Sequence, residues 1–374
     1  MKLLYLSASY VPSRQANSMQ VMRMCSAFAR QGHDVELFTR SQPNRQEPGV
    51  GDDFAFYGIS RGFAIQKLDR PSRAGGSLIH TWKTAALLRE RQPDLVYARA
   101  IVSATVAVAL RLPLVFEAHA VPSGRWARWM WERMLSARTF RRLVVTSAAL
   151  ERDLRDLGLI PEHVDVVVAH DAADPLPEFA RTPGTSPRIG YIGSLYPGRG
   201  IEVVIELARR MPDAHVVVVG GRQQDLQHWQ QQPLPHNLNL VGFVPPSQLG
   251  QRYAELDIVL MPYPASGVRN SGGGSDMSRW MSPLKLFEYM SSGAAIVSSD
   301  LPVLAEVLRH EDNALLVSSD DLDAWQRAVR RLADDRQLRE RLAGSARAEM
   351  LATHTWDARA NAVLSGLRTE GCLR

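Results

Sequence analysis

The sequence predicts an α/β fold with two Rossmann-like domains, each a doubly wound parallel sheet, facing each other across a cleft. Three observations lead to this prediction. Short apolar runs alternate with amphipathic helical runs, a proline-rich stretch interrupts the alternation, and the same pattern starts again after it. The 374 residues suffice for two domains of ordinary size.

The first half opens with the buried-strand pattern KLLYLSA, the amphipathic run SMQVMRMCSAFARQG and a second strand, DVELFTR. A strand, a helix that stops at a glycine and a further strand form a right-handed βαβ unit. The pattern continues through DLVYAR, IVSATVAVALRL, PLVFEAHA, RRLVVTSAALERDLRDL and VDVVVAHDAAD. We therefore predict an N-terminal Rossmann-like domain over residues 1–175.

A linker is predicted over 176–187, because this region is rich in proline and lacks apolar periodicity. The strand and helix pattern resumes with IGYIGSLYPGRG, IEVVIELARRM, AHVVVVGG, NLNLVGFVPP, LDIVLMPYP, AAIVSSD and NALLVSS. It predicts a second Rossmann-like domain over 188–354 and a C-terminal helix, 355–374, that packs back toward the first domain. Ligands of such folds bind outside the carboxyl ends of the strands, so a cleft between the domains is the expected site.

Composition excludes several classes of protein. The sequence contains no run of about 18 apolar residues that would span a membrane. The apolar start turns polar at Ser7, which fits a first strand better than a signal peptide. Cys25 and Cys372 are too few for a disulfide framework or a metal cluster. A cytoplasmic protein is expected.

Charge is unevenly distributed. The net charge is +5, but residues 1–150 hold 21 basic and 10 acidic residues, whereas residues 151–374 hold 23 and 29. A basic first half suggests an anionic partner such as a membrane surface, nucleic acid or a phosphorylated acceptor, with solvated charge as the equal alternative. The chain has 40 Arg and 4 Lys, so Lys285 is notable.

Two stretches of the second half suggest phosphate binding. YIGSLYPGRGIEVVIEL is a strand, a glycine-rich turn containing Arg199 and a helix, and such a turn lets backbone N–H groups approach an anion. SPLKLFEYMSSG predicts a helix with Pro283 in its first turn and Gly293 as its stop.

Lys285 and Glu288 lie on one face of that predicted helix. A cation at the positive end of a helix is unfavourable unless an anion sits there. A cation followed by a carboxylate one turn deeper indicates a pyrophosphate followed by ribose hydroxyls, that is, a nucleoside diphosphate. A solvated Lys–Glu surface pair is the alternative. A dehydrogenase is disfavoured, because the first strand–helix turn, SASYVPSRQANS, has no glycine.

The order of these segments resembles the retaining glycosyltransferases of family four, which have the GT-B fold. The resemblance spans nearly the whole chain through YVPSRQANSMQVMRM, GHDVELFTR, PDLVYAR, FEAH, VTSAALERDL, YIGSLYPGRGIE, NLNLVGFVP, LDIVLMPY, SPLKLFEYMSSG and SDLPVLAEVL. It implies an N-terminal acceptor domain and a C-terminal nucleotide-sugar donor domain. It also implies sugar transfer with retention, no metal and no further cofactor, in bacterial surface polysaccharide, lipopolysaccharide or glycolipid synthesis.

The resemblance also implies residue roles. Arg199 and Lys285 would neutralise the diphosphate leaving group, and His119 would lie beside the donor sugar as a third catalytic residue. Glu288 would contact the ribose, and Phe243 and Val244 would flank the nucleobase. The remaining donor-binding residues implied are Asn17 and Ser18 in the first N-terminal loop, Gly193 and Ser194 in the phosphate turn, and Pro283, Leu284 and Leu286 around Lys285.

Three positions depart from the family pattern. Trp280 stands where the first Glu of the Glu-x7-Glu motif belongs, Ser194 where an arginine often follows glycine, and Ala16-Asn17 where a glycine pair is usual. Asp276 or Arg279, in the stretch 265–280, are candidate replacements for the missing Glu. That stretch is either a mobile lid or disordered.

The only D-x-D sequence, Asp321-Leu322-Asp323, fits the start of a helix better than a metal site.

The segment GRWARWMWERMLSARTFRRL, residues 124–143, combines tryptophan with arginine. Trp126, Trp129, Met130 and Arg133 fall at helical spacing, as in a helix lying on an anionic bilayer. Inward packing of the tryptophans is the alternative, and no nucleic-acid module accompanies the segment. We expect a glycan or lipid-linked acceptor, with peripheral contact at the inner face of the cytoplasmic membrane.

Two other functions remain open at this point. A nucleotide-sugar epimerase shares the two-domain fold and needs no acceptor. A non-catalytic GT-B-like partner subunit would agree with Trp280, because it would have lost contacts to the donor sugar.

Overall fold

A computed structural model describes residues 1–69, 76–179, 186–268 and 276–367. Its first elements are β1 (Lys2–Tyr10), α1 (Ala16–Arg30), β2 (Asp34–Ser41), α2 (Asp53–Tyr57), β3 (Ala64–Asp69), α3 (Gly76–Arg91), β4 (Leu95–Ala98), α4 (Ile101–Ala109), β5 (Leu114–Ala118), α5 (Arg125–Leu135), β6 (Phe140–Val145), α6 (Ala148–Asp156) and β7 (Val166–Val168).

The chain continues with β8 (Arg188–Ile192), α7 (Ile201–Arg210), β9 (His215–Val219), α8 (Gln223–Gln230), β10 (Leu238–Gly242), α9 (Leu249–Ala254), β11 (Ile258–Met261), α10 (Leu284–Ser292), β12 (Ala295–Ser299), β13 (Leu315–Val317), α11 (Leu322–Asp334), α12 (Arg336–Thr353) and α13 (Trp356–Leu364). The chain forms two compact units, Met1–His170 with Trp356–Arg374, and Asp171–Thr355.

The first unit contains a seven-stranded sheet of order β3-β2-β1-β4-β5-β6-β7, and every neighbouring pair is parallel. The order reverses at β1, as in a doubly wound Rossmann sheet. The central strands β4 and β5 are buried along their whole length, which explains their continuous apolar runs. The predicted doubly wound α/β fold is confirmed for this half.

The second unit repeats the arrangement in a six-stranded parallel sheet of order β10-β9-β8-β11-β12-β13. Apolar side chains of its strands pack with α7 and α11 around the fully buried Trp325. The predicted restart of the pattern after the proline-rich stretch is therefore confirmed.

The boundaries of the units differ from the predicted domains. Asp171 belongs to the second unit, where its backbone N–H donates to the Ser282 hydroxyl at 2.7 Å. The first residue of the predicted linker, Leu176, is hydrogen-bonded to the second unit. Its N–H donates to Ser291 Oγ, and its carbonyl accepts from Arg347. Residues 180–185 lie outside the described residues. At the other end, α13 belongs to the first unit and packs on α1.

Three further expectations have a structural outcome. Asp321 caps α11, because its Oδ1 accepts from the Ala324 N–H at 2.8 Å, so the helix-start interpretation of the D-x-D sequence is confirmed. Cys25 is a buried free thiol, and Cys372 lies outside the described residues. Among the described helices, none combines the length and apolarity needed to cross a bilayer.

Candidate functional site

The glycine-rich turn of the second unit runs from the end of β8 to the start of α7. Gly200 has φ +79°, and a Cβ there would lie 1.7 Å from the backbone oxygen of Pro262. Gly198 has φ +83°, and its Cβ would lie 2.7 Å from the Gly267 oxygen. Only glycine permits this close approach of two backbones. In this described region α7 starts without a side-chain cap. The Val203 N–H donates to the Gly200 carbonyl at 3.1 Å, which leaves the N–H groups of the first two helical residues for an anion.

Lys285 lies in the first turn of α10 and is buried, with 9 % of its surface exposed. Its Nζ donates to Tyr191 Oη at 3.0 Å and lies 4.2 Å from the centroid of the Tyr191 ring and 4.7 Å from that of Tyr263. Burial, with Arg199 adding to it, holds the pKa of Lys285 well below its ordinary value. This burial contradicts the alternative of a solvated Lys–Glu surface pair.

Arg199 shares the aromatic surroundings of Lys285. One Nη donates to Tyr196 Oη at 2.6 Å and the other to Tyr263 Oη at 3.3 Å, and the guanidinium lies 4.9 Å from the Tyr196 ring centroid. Hydroxyls and ring faces attract cations without cancelling their charge. Two cations are thus held together among three tyrosines, an arrangement that an anion between them would stabilise. We call Lys285, Arg199, Tyr191, Tyr196 and Tyr263 the cation–tyrosine cluster.

The start of α10 differs from the expectation in one respect. Pro283 precedes the first helical residue, Leu284, and so occupies the N-cap position and not the first turn. The Leu286 N–H already donates to the Pro283 carbonyl at 2.9 Å, which leaves the N–H groups of Leu284 and Lys285 for a ligand. Gly293 ends the helix with φ +68°, as predicted.

Glu288 lies one turn deeper in α10 and is half-buried. Its Oε2 accepts from Tyr253 Oη at 2.9 Å. A carboxylate can accept from more than one donor, and this bond fixes the position of the side chain. The position agrees with the expectation of a carboxylate one turn below the cation.

Three glycines bring the ends of β8, β9 and β10 together. The Gly220 N–H donates to the Gly242 carbonyl at 2.7 Å, and a Cβ at Gly220 would lie 2.0 Å from the Gly193 oxygen. Phe243 and Val244 follow β10 directly and are half-buried, as are Gly193 and Ser194 after β8. Phe243 and Val244, the predicted nucleobase residues, therefore follow the end of β10, which lies next to the glycine-rich turn.

The Trp280 region lies just before α10. Trp280 is half-buried, and its N–H donates to the Met277 carbonyl at 3.0 Å. Both carboxylate oxygens of Asp276 accept backbone N–H groups, from Gly267 at 2.7 Å and Ser278 at 2.9 Å, so this side chain closes the loop on itself. Arg279 is exposed. Residues 269–275, the centre of the expected lid, lie outside the described residues.

In the first unit, His119 follows β5 and contacts a buried ion network. Its Nε2 lies 2.7 Å from Glu117 Oε1 and 2.7 Å from an Nη of Arg99. Glu117 is fully buried, and its Oε2 accepts from Arg359 of α13 at 3.1 Å and from Tyr97. These partners are separated in sequence by up to 242 residues.

The network sets the protonation of both central groups. Burial and the Arg99 guanidinium lower the pKa of His119 to about 4, so the imidazole is neutral at pH 7. Burial alone would favour the neutral acid of Glu117, but Arg359, His119 and Arg99 hold the pKa of that carboxyl well below its usual range. A neutral imidazole offers one donor and one acceptor, so its tautomer depends on whether Nε2 serves Glu117 or Arg99.

Asn17 and Ser18, expected in a loop, instead lie in the first turn of α1. Ser18 is buried and its hydroxyl donates to the Tyr10 carbonyl at 2.8 Å, whereas Asn17 is exposed. Arg99 donates to the Asn17 carbonyl at 3.3 Å and so connects the start of α1 with His119.

The tyrosines of the cation–tyrosine cluster and the partners of His119 were missed from the sequence. The only sequence signal for the second group is Glu117 itself, since a carboxylate within an apolar strand needs a buried partner. No group of three or more potential metal ligands occurs among the described residues.

Comparison with known proteins gives two family matches. A family described as "Glycosyltransferase Family 4" matches residues 18–168, and one described as "Glycosyl transferase-like" matches residues 199–365. Together they cover most of the chain.

Individual relatives agree with these matches. A phosphatidyl-myo-inositol mannosyltransferase of Mycolicibacterium smegmatis is 28 % identical over 209 residues, 53 % of this chain and 49 % of its own length, so the match spans about half of that protein. A glycogen synthase of Mycobacterium tuberculosis is 23 % identical over 97 % of this chain and 93 % of its own. Among solved structures, Anabaena HepE with UDP-glucose has a TM-score of 0.70 at 16 % identity, covering 97 % of this chain and 98 % of that one.

Proposed function

The chain belongs to the family 4 glycosyltransferases of the GT-B fold, and from this premise we propose that it transfers a hexose from a nucleoside diphosphate sugar to an acceptor hydroxyl, with retention of anomeric configuration. The observation that carries the proposal is the cation–tyrosine cluster at the starts of α7 and α10. It holds Lys285 and Arg199 together in a buried place that favours an anion.

The diphosphate is the anion that fits the cluster. Lys285 and Arg199 would stabilise the negative charge that develops on the leaving phosphate when the bond from the sugar C1 to the phosphate oxygen breaks. The acceptor oxygen then bonds to C1, and its proton passes to the departing diphosphate. The two cations supply the positive charge that a metal ion would otherwise provide, so we propose transfer without a metal.

The rest of the donor follows from the neighbours of the cluster. Glu288, whose position is fixed by Tyr253, would accept hydrogen bonds from the ribose hydroxyls. Phe243 and Val244 would flank the base beside the phosphate turn. The solved protein of similar fold that holds UDP-glucose supports a nucleotide sugar as the donor.

The acceptor is proposed from the relatives and from the first unit. The mycobacterial relatives are named as a mannosyltransferase acting on a phosphatidyl-inositol and as a glycogen synthase. We propose a glycan or lipid-linked acceptor in bacterial surface polysaccharide, lipopolysaccharide or glycolipid synthesis. His119 would contribute a neutral imidazole at the donor sugar, oriented by Glu117 and Arg99.

A thermal-shift panel tests the donor site. UDP, GDP, ADP and CMP, each alone and as a sugar conjugate, are added to the protein in EDTA. We expect one nucleoside diphosphate to raise the Tm selectively, and Arg199→Gln to abolish that rise. Arg222→Gln is the matched control, because Arg222 lies 5.6 Å from the same Tyr196 ring but is already paired with Asp225.

The outcome also separates the alternatives. No stabilisation by any nucleotide would overturn the donor proposal and favour a non-catalytic partner subunit. With the stabilising donor in hand, conversion of the donor sugar to its epimer in the absence of acceptor would overturn transferase activity in favour of the epimerase.

A further inference from the structure

The first unit exposes large apolar side chains on three neighbouring helices. Of the six exposed large hydrophobic residues found in the described part of the chain, four lie on α3, α4 and α5: Trp82 (70 % exposed), Val102 (45 %), Trp126 (79 %) and Trp129 (52 %). Single exposed apolar side chains need no explanation, but a concentration of three tryptophans does. We call these four residues the tryptophan face.

The topology places the three helices side by side. They connect β3 to β4, β4 to β5 and β5 to β6, so all three connections run in the same direction across the sheet. Right-handed crossovers in one direction place their helices on one face of a parallel sheet. In agreement, α4 packs against both α3 and α5. The tryptophan face therefore belongs to one side of the unit.

Helix α5 separates inward from outward aromatic residues. Trp131, Met134 and Leu135 are buried, and the Trp131 indole N–H donates to the Leu159 carbonyl at 2.7 Å. Trp126 and Trp129 point outward and stack edge to face, with ring centroids 6.2 Å apart. Inward packing, the alternative drawn from the sequence, is thus wrong for these two rings. Packing of the unit does not require them to be tryptophan.

Positive charge surrounds the exposed rings. Arg125, Arg128 and Arg133 of α5 are all exposed, and Glu132 is the one acidic residue of this helix, which gives it a net charge of +2. Indole rings favour the interface between water and lipid, and arginine next to them favours an anionic surface. A second copy of the chain is a poor occupant, because a symmetric contact would bring these arginines against each other.

We propose that the tryptophan face binds the surface of an anionic lipid bilayer. Five residues separate His119 from Arg125, the start of α5. An extended chain of that length reaches about 20 Å. The rings therefore hold the end of β5 close to the bilayer, where the reactive hydroxyl of a lipid-linked acceptor would lie. Lipid binding itself does not depend on the donor chemistry proposed above.

Vesicle co-sedimentation tests the proposal. The full chain is mixed with vesicles of phosphatidylcholine alone or with 30 % phosphatidylglycerol added, at low salt and at ~0.5 M salt. We expect binding to the anionic vesicles that salt weakens. Trp126→Ala/Trp129→Ala should reduce the partition coefficient at least tenfold. Arg125→Gln/Arg128→Gln should reduce it about thirtyfold, and only for the anionic vesicles.

Matched controls come from other surfaces of the chain. Leu157→Ala/Leu351→Ala removes two exposed apolar side chains outside the three helices, and Arg327→Gln/Arg330→Gln removes two exposed charges from α11. Both control variants should bind vesicles like the unaltered protein. Equal losses in control and test variants would overturn the assignment to this face.

Other outcomes are equally decisive. Absence of binding to anionic vesicles would overturn the proposal. A Trp126→Ala/Trp129→Ala variant that sediments at half the mass of the unaltered protein, without any change in vesicle binding, would instead identify an interface between copies. Nucleotide stabilisation, measured on the same variants, should be unchanged. If nucleotides failed to stabilise the unaltered protein, the donor proposal would be contradicted, whereas the bilayer proposal would not be affected.

Discussion

The ammonium of Lys285 donates to the hydroxyl of Tyr191 at 3.0 Å and also lies over the face of that tyrosine's ring, 4.2 Å from its centroid. Tyr191 in turn donates to the Ser194 carbonyl at 2.8 Å, within the glycine-rich turn. The glycine-rich turn and the first turn of α10 are thus joined through one tyrosine. The amine has a fixed position before any ligand arrives, at the cost of burial beside a second cation.

Lys285→Met should stabilise the ligand-free protein and weaken nucleotide binding. Methionine keeps the buried volume and ring contacts but does not need a hydrogen-bond partner or bury a charge. We expect a gain of about 1–3 kcal/mol in the free energy of unfolding at pH 7, measured by urea unfolding. The gain should shrink toward pH 10, because the unfolded chain then loses the proton that the folded chain binds only weakly.

The same variant should show a much smaller rise in Tm than the unaltered protein at the same concentration of the stabilising nucleotide. Lys83→Met is its control, since that lysine lies on α3 outside the donor site. If Lys285→Met lowered the stability of the free protein, the amine would be a structural group, and its role in donor binding would be contradicted.

Diphosphate affinity should fall as pH rises through the alkaline range. The free protein holds the pKa of Lys285 well below its ordinary value, whereas a bound diphosphate favours the ammonium. Binding above that pKa therefore takes up one proton, and Kd should increase by up to about tenfold per pH unit. The range to use is pH 7.5 to 10, above the phosphate ionisation near pH 6.

Calorimetry in two buffers of different ionisation enthalpy measures the proton uptake directly. A weaker but measurable affinity in Lys285→Met should show no such pH dependence. Proton release on binding, or an uptake that persists in the variant, would assign the titration to another group.

The sequence predicted the fold better than the site, for physical reasons. Continuous apolar runs such as those of β4 and β5 arise because both faces of a parallel sheet are covered. Strand β3 was missed, because it lies at the sheet edge and Leu68 is the one buried side chain among those described in it. The glycine-rich turn and Lys285 were found because their residue types are unusual at those positions.

The partners of these residues were not found, because only the folded chain brings them together. Tyr191 lies on β8 and Lys285 on α10, 94 residues apart in the sequence. Arg359 carries no local pattern that distinguishes it from 39 other arginines, yet it neutralises Glu117 at the centre of the first unit. A carboxylate in a buried strand predicts a cationic partner, but it does not identify which residue provides the cation.

His119 should make the protein less stable in mild acid. Burial and Arg99 lower the pKa of His119 to about 4, against 6.5 for an unperturbed imidazole. Between these values the unfolded chain binds the proton and the folded chain does not, so stability rises with pH across pH 4 to 6.5. The part due to His119 should be roughly 2–3 kcal/mol.

His119→Gln keeps a hydrogen-bonding side chain and removes the titration. The difference in unfolding free energy between variant and unaltered protein, measured by denaturant at each pH, should favour the variant increasingly as pH falls from 6.5 to 4. His215→Gln is the control, because His215 is an exposed residue at the start of β9. A constant difference across this range would contradict a neutral imidazole at His119.

Gly200→Ala tests whether the glycine-rich turn is built by close backbone approach. Alanine at φ +79° is strained, and its Cβ would lie 1.7 Å from the Pro262 oxygen, so the turn must move away from the chain that follows β11. We expect a loss of about 3 kcal/mol in unfolding free energy and loss of nucleotide stabilisation.

Gly344→Ala is the matched control, because Gly344 lies in α12 with no heavy atom of the described chain within 4 Å of an added Cβ. It should gain about 0.5–1 kcal/mol from helix propensity, with nucleotide binding unchanged. If Gly200→Ala were as stable as the unaltered protein and still bound nucleotide, the turn would tolerate a side chain, and its packing against Pro262 would not position the phosphate site.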